Sequence, residues 1–199
     1  MPDMYSPVAA ILEPGHHGAV LPAGPGVSIS ERPLGGLVQL AGWADFETAA
    51  NPVVSALGFQ DLGHYRKAQA AGSRNLYRIA PDKLWIAGAA MGDLPTVMGG
   101  GSLAVLDLSH SRTRICVDGL AAEDVLVRLA AIDFRKRSFA VGDFVQTGIQ
   151  HIGMLIHRVS DTRFDLLTPV TWARSIWESI ELNAKPFGYI IEARNNGAQ

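Results

Sequence analysis

The sequence has a single cysteine, Cys116, among 199 residues, which excludes an internal disulfide framework and any cysteine-based zinc cluster. That scarcity fits a reducing compartment. It is also short of charge: 18% of residues are ionisable Asp, Glu, Lys or Arg, with a net charge of −2. No broad basic field exists of the kind a general nucleic-acid binder needs. No run approaches the ~18 consecutive apolar residues of a membrane-spanning helix. Met1–Ser6 lacks a basic region leading into an apolar stretch, so no secretory signal is expected. These absences together predict a cytoplasmic protein without a membrane or nucleic-acid partner.

The chain is also poor in lysine, with 4 Lys against 13 Arg. Arginine is the cation favoured at protein–protein interfaces, because its guanidinium is weakly hydrated and pairs bidentately. A GC-rich genome produces the same bias. Hydrophobic residues make up 48%, well above the level of a disordered chain. A chain of this length buries roughly 70% of its unfolded surface on folding, enough for a core.

Six of the eleven prolines fall within residues 1–36. By resetting φ and removing backbone donors they argue against continuous helix or sheet there. The segment still holds Val8, Ile11, Leu12, Val20, Leu21, Val27, Ile29 and Leu34. It reads either as a disordered leader or as an extended arm lying on the body or on another chain. Residues 37–190 read as one α+β domain and 191–199 as a C-terminal tail.

Within the body, Leu37–Leu40 reads as a strand. Asn51–Gly58 reads as a helix with an Asn cap, Pro at its first position and a terminal Gly. Residues 61–75 read as a loop, and 76–80 with 84–88 as a hairpin. Further strands are expected at 103–108, 112–117, 144–149, 153–159 and 163–167. Helical spacing puts Ala122, Val125, Leu126, Leu129 and Ala130 on one face within 121–133, and Trp172, Ala173, Ile176, Trp177 and Ile180 on one face after Pro169. Two helices among antiparallel strands describe antiparallel sheets packed with helices, an α+β single domain with an extended N-terminal arm.

Chemistry is sparse. Gly99-Gly100-Gly101-Ser102 lacks both the Walker Lys-Ser/Thr pair and the dinucleotide fingerprint, and reads as a turn. His16 and His17 are adjacent and project differently, with no third metal ligand nearby. His151 and His157, on one strand, would stand about 20 Å apart. Ser109-His110-Ser111 has no nucleophile elbow. Cys116, mid-strand, reads as a small buried hydrophobe.

The order Leu106-Asp107-Leu108-Ser109-His110, Arg112-x-Arg114-Ile115, Gly119 and then Ala121-Ala122-Glu123-Asp124-Val125-Leu126 resembles the aminomethyltransferase (glycine-cleavage T protein) family. Phe139-x-Val141-Gly142, Leu155-Ile156-His157-Arg158 and Phe164-Asp165-Leu166-Leu167 continue it. His157-Arg158-Val159, Pro169, Ala173-Arg174-Ser175 and Trp177-Glu178 bring the chain closest to the gamma subunits of heterotetrameric sarcosine oxidases. The resemblance implies a T-protein-like fold. Where the T-protein family carries two acidic residues, this chain has Ile152 and Gly153, which cannot take up a proton.

The resemblance further implies a non-catalytic structural subunit beside alpha, beta and delta chains. That complex would oxidise sarcosine to glycine with hydrogen peroxide and formaldehyde, or methylenetetrahydrofolate. FAD, FMN, NAD, tetrahydrofolate and zinc are then expected in the partner subunits and none in this chain. The gamma chain of an N-methylglutamate dehydrogenase, or a free-standing folate-binding protein of one-carbon metabolism, are the alternatives. Arg32, Trp43, Arg66 and Arg74, assigned to the arm and the irregular segments, are the expected partner contacts.

Overall fold

The computed structural model describes residues 6–95 and 103–193. Two compact units emerge: residues 1–33 with 112–199, and residues 34–111.

The first unit is built on a seven-stranded sheet, in the order β1 (Gly15–His17), β12 (Tyr189–Ile191), β2 (Val27–Arg32), β8 (Arg112–Asp118), β11 (Arg163–Pro169), β10 (Ile152–Arg158) and β9 (Phe144–Ile149). Its pairings are antiparallel except β12 with β2, which is parallel. One face carries Ile29, Ile115, Val117, Phe164, Leu166, Ile156 and Met154. Against it pack α2 (Ala122–Leu126), through Ala122, Val125 and Leu126, and α3 (Ala173–Ala184), through Ala173, Ile176, Trp177, Ile180 and Ala184.

The N-terminal segment departs from the expected arm. Val27–Arg32 is an inner strand, paired on both sides and mostly buried. Pro25 and Pro33 fence this strand rather than break it, and Val-Ser-Ile-Ser between them alternates as a half-buried strand should. The residues grouped as one domain from 37 to 190 are divided, because the chain leaves the first unit after residue 33 and re-enters it at 112. Ile191, assigned to the tail, ends β12 as a buried residue.

The second unit is a five-stranded antiparallel sheet in the order β4 (Gln69–Ala71), β5 (Arg74–Ala80), β6 (Lys83–Ala87), β3 (Leu37–Gly42) and β7 (Leu103–Asp107). Helix α1 (Phe46–Ala56) packs on it through the same core as Val38, Leu40, Leu76, Leu84 and Ile86. The helix begins five residues before the expected Asn cap and holds Pro52 inside. Phe46, Ala49, Ala50, Val53 and Val54 are all buried, and that i, i+3, i+4, i+7, i+8 stripe outweighs the bond Pro52 cannot donate. Its end is as expected. Gly58 sits at φ 92°, its N–H bonds Ser55 O at 3.0 Å, and Phe59 N–H bonds Val54 O at 3.0 Å, closing a Schellman motif.

The stretch expected as a loop, 61–75, contributes β4 and the start of β5. The expected helix over 121–133 is cut to Ala122–Leu126 and continues as tight turns. Phe134 thereby reaches Phe139 and Phe164, with ring centroids 5.5 and 5.7 Å away. Trp172 lies in a 3-10 turn ahead of α3 and is 52% exposed, whereas Trp177 is fully buried. The Gly99–Ser102 turn lies outside the described residues. No helix among the described residues is long and apolar enough to cross a membrane.

Candidate functional site

Because side chains alternate along a strand, the second face of the seven-stranded sheet carries its own set of polar groups. In β8 these are Arg112, Arg114, Cys116 and Asp118, set opposite the buried sequence Thr113, Ile115 and Val117. Strand register aligns Ser30, Cys116, Asp165 and His157 in one row across β2, β8, β11 and β10. All four are buried.

A thiol, a carboxylate and an imidazole in line invite comparison with a nucleophilic triad, but the order is wrong. Asp165 separates Cys116 from His157, which at ordinary strand spacing stand roughly 10 Å apart. A base must touch the nucleophile it activates. Protonation states point the same way. Burial, seconded by the charge of Asp165, pushes the Cys116 thiol up to about 11. Burial takes the His157 imidazole down to about 4, against a smaller opposing pull from Asp165. At neutral pH the thiol is protonated and the ring neutral. Asp165 itself accepts from Arg163 Nε at 3.1 Å and Arg114 Nη1 at 3.4 Å. The contact of Arg114 with Asp165 ties β8 to β11.

A second buried carboxylate was not singled out from the sequence. Glu31 points to the packed face, where it accepts from Thr113 Oγ1 at 2.7 Å and from Ser6 Oγ. Its isolated place in Val-Ser-Ile-Ser-Glu-Arg carried no signal of those partners, since Ser6 and Thr113 lie far off in sequence. Ile152 and Gly153 are both in β10; Gly153 is exposed and receives, at its carbonyl, a bond of 3.1 Å from Arg112 Nη1.

The remaining sequence candidates have structural partners. Ser109 Oγ accepts from Leu37 N–H at 3.1 Å, and Ser111 Oγ donates to Leu108 O at 2.7 Å, so this serine–histidine cluster closes a turn. His17 stacks on Tyr189 at 5.2 Å and donates to Glu13 O at 2.8 Å. His151 is not on a strand with His157 but in the β9–β10 turn, at φ 68°. Among the described residues no three His, Cys, Asp or Glu side chains gather as a metal site.

Of the four expected partner contacts, Arg32 is in strand β2 rather than an irregular arm and donates to Glu192 at 3.0 Å. Arg74 opens β5 and lies 3.5 Å from Asp93. Arg66 is an exposed residue at φ 72°. Trp43 follows β3 with its side chain 72% exposed.

No family model matches the chain, and no curated protein matches it. Solved structures do, and two of them are described here. One is a heterotetrameric sarcosine oxidase from Corynebacterium sp. U-96 in complex with pyrrole 2-carboxylate, at TM-score 0.76 and 20% identity, the match covering 92% of this chain and 95% of that one. The other is the glycine cleavage system aminomethyltransferase T from Bartonella henselae, at TM-score 0.60 and 16% identity, the match covering 94% of this chain and 58% of that one. At these identities the likeness is one of architecture, and the fold of this chain is T-protein-like α+β.

Proposed function

We propose that this chain is the gamma-type, structural subunit of a heterotetrameric enzyme of the sarcosine oxidase kind. One observation carries the reading: the fold matches a chain of such a heterotetramer along nearly all of both lengths, 92% and 95%, but spans 58% of the aminomethyltransferase. The residues support a scaffold role. Cys116 is held as a thiol and His157 as a neutral ring, and Asp165 is engaged by two arginines. Ile152 and Gly153 offer no proton acceptor.

On this reading alpha, beta and delta companions carry FAD, FMN, NAD, tetrahydrofolate and zinc. The complex would act in the cytoplasm, demethylating sarcosine to glycine with hydrogen peroxide and formaldehyde or methylenetetrahydrofolate. The test is purification of the tagged chain from its native source. Companions in fixed stoichiometry, a flavin spectrum and sarcosine-dependent peroxide are expected of the complex, and none of these of the lone polypeptide. Turnover or stoichiometric flavin binding by the isolated chain would overturn the reading.

A further inference from the structure

Residues 18–25, Gly-Ala-Val-Leu-Pro-Ala-Gly-Pro, hold no side chain that carries charge or can hydrogen-bond. Gly18 and Gly24 turn the chain there at φ 73° and 83°, which accounts for the glycines but not for Val20 and Leu21. Other apolar residues of the N-terminal segment serve this chain's own packing. Val8, Val27, Ile29 and Leu34 are buried, and Ile11 and Leu12 pack against a core. Val20 is 98% exposed, and Leu120, in the turn after β8, is 91% exposed. Scattered exposed leucines are ordinary. These are not scattered: Leu21 and Leu120 line one groove of about 620 Å³, whose apolar wall includes Pro25, Phe187 and Ile190, and Val20 is the chain neighbour of Leu21.

Backbone contacts fix the shape of the groove. Gly26 N–H bonds Phe187 O at 2.8 Å and Gly188 O at 2.9 Å, and Ala121 N–H bonds Gly26 O at 3.1 Å. A Cβ at Gly26 would stand 3.0 Å from both Ala121 Cβ and Phe187 O. Three segments are thus locked together before anything enters, which spares an occupant the cost of ordering them. The charge of the groove has one sign. Its ionisable lining is Asp118 and Asp124, with no Lys or Arg. Asp118 accepts from Thr162 Oγ1 at 2.7 Å, and Asp124 is exposed. Neither carboxylate is in an ion pair among the described residues. Arg128 lies instead over the Phe187 ring, 4.8 Å from its centroid, and residues 1–31 contain no Lys or Arg at all. An apolar group flanked by a cation complements this lining. The exposed apolar surface continues to Val20, which a small molecule in the groove would leave in water and a polypeptide segment would cover.

We propose that the groove between the 18–25 loop, Leu120 and Phe187 receives a segment of a companion polypeptide, which buries an apolar side chain against Leu21 and Leu120 and sets a Lys or Arg beside Asp124. This rests on the subunit reading above. The test compares the tagged full chain, purified from its native host, with Val20→Ser/Leu120→Ser, Asp124→Asn and Asp124→Glu. The wild type should elute with its companions. The serine variant should retain about tenfold less companion or lower still, yet melt at the wild-type temperature as a separated chain, because both replaced side chains stand in solvent. Asp124→Asn should retain severalfold less, and Asp124→Glu, which keeps the charge, should match the wild type. A photoreactive benzoylphenylalanine in place of Leu120 should crosslink to a companion segment with Lys or Arg within a few residues of the bond.

Wild-type retention by the serine or the asparagine variant overturns the proposal, as does loss of companions in Asp124→Glu or a lowered melting temperature for the serine variant. A crosslink to a second copy of this chain, to a small molecule, or to a companion segment without a cation overturns it too. A wild-type chain that elutes alone overturns the subunit reading and this site with it. Companions held equally by all four chains overturn only the site.

Discussion

Arg158 and Glu123 form an ion pair of 2.6 Å in which the guanidinium is wholly buried and the carboxylate side chain is 33% exposed. The same guanidinium donates to the carbonyls of Phe134 at 2.8 Å, Phe139 at 3.0 Å and Asp161 at 2.6 Å, and lies 4.9 Å above the Phe164 ring. One side chain thus ties the irregular 130s segment to the sheet. Replacement by Met would strand the buried carbonyls of Phe134 and Phe139, together with the Asp161 carbonyl and the Glu123 carboxylate. The expected loss is about 3–5 kcal/mol, read as a fall in urea midpoint with the denaturant slope unchanged. Glu123→Gln, which keeps the carbonyl bonds, should lose much less.

Stability should fall as pH drops through the histidine range, and His157 should account for part of the fall. Its folded pKa, about 4, lies below the ordinary value near 6.5. The unfolded state therefore binds more protons between those values, so folding weakens as pH falls from about 6.5 to about 4 and is unaffected above. The full effect is about 3 kcal/mol. Subtracting the urea-midpoint profile of His157→Gln from that of the wild type isolates it, because carboxylates titrating in the same range are common to both. A flat difference from pH 7.5 to 4 would count against the buried neutral imidazole.

Cys116 is buried, and its thiol is raised to about 11. At pH 8 the thiolate fraction is then on the order of a thousandth. Native protein should resist alkylation and disulfide exchange for hours, and react within minutes in denaturant. Rapid modification of the folded chain would refute the packing described around this row.

Pro52 provides a signed test of where α1 begins. Inside a helix running from Phe46 to Ala56, proline removes a bond and crowds the preceding turn. Pro52→Ala should then stabilise, by about 1–3 kcal/mol. Were the helix to start at Asn51, proline would stand at its favoured first position, and the same substitution would be neutral or destabilising. Thermal melts of the two chains decide the sign.

Strand composition made most of the sheet legible, as did the i, i+3, i+4 spacing of Ala173, Ile176, Trp177 and Ile180. Gly58 marked a helix end because its conformational freedom is local. The failures share a cause. Prolines at 25 and 33 looked like breakers, but only the partners β12 and β8 make Val27–Arg32 between them a strand. Asn51-Pro52 looked like a start, and burial of Phe46 and Ala49 moved that start upstream. Trp172 looked like core on helical spacing, and a 3-10 turn put it outside.

Local chemistry decided some things without any fold: the lone cysteine, the absence of an acid at 152 and 153, the short-range turn at Gly58, and the periodicity of the strands and of α3. Tertiary structure alone decided that Cys116, Asp165 and His157 share a row, that Arg158 reaches Glu123, and that Gly148 faces Gly153. Each of those relations joins strands or loops distant along the chain or fixes a register, and both depend on which strands pair and how deeply they are buried. Hydrogen bonding and desolvation act between neighbours in space, so a linear string of residues does not contain them.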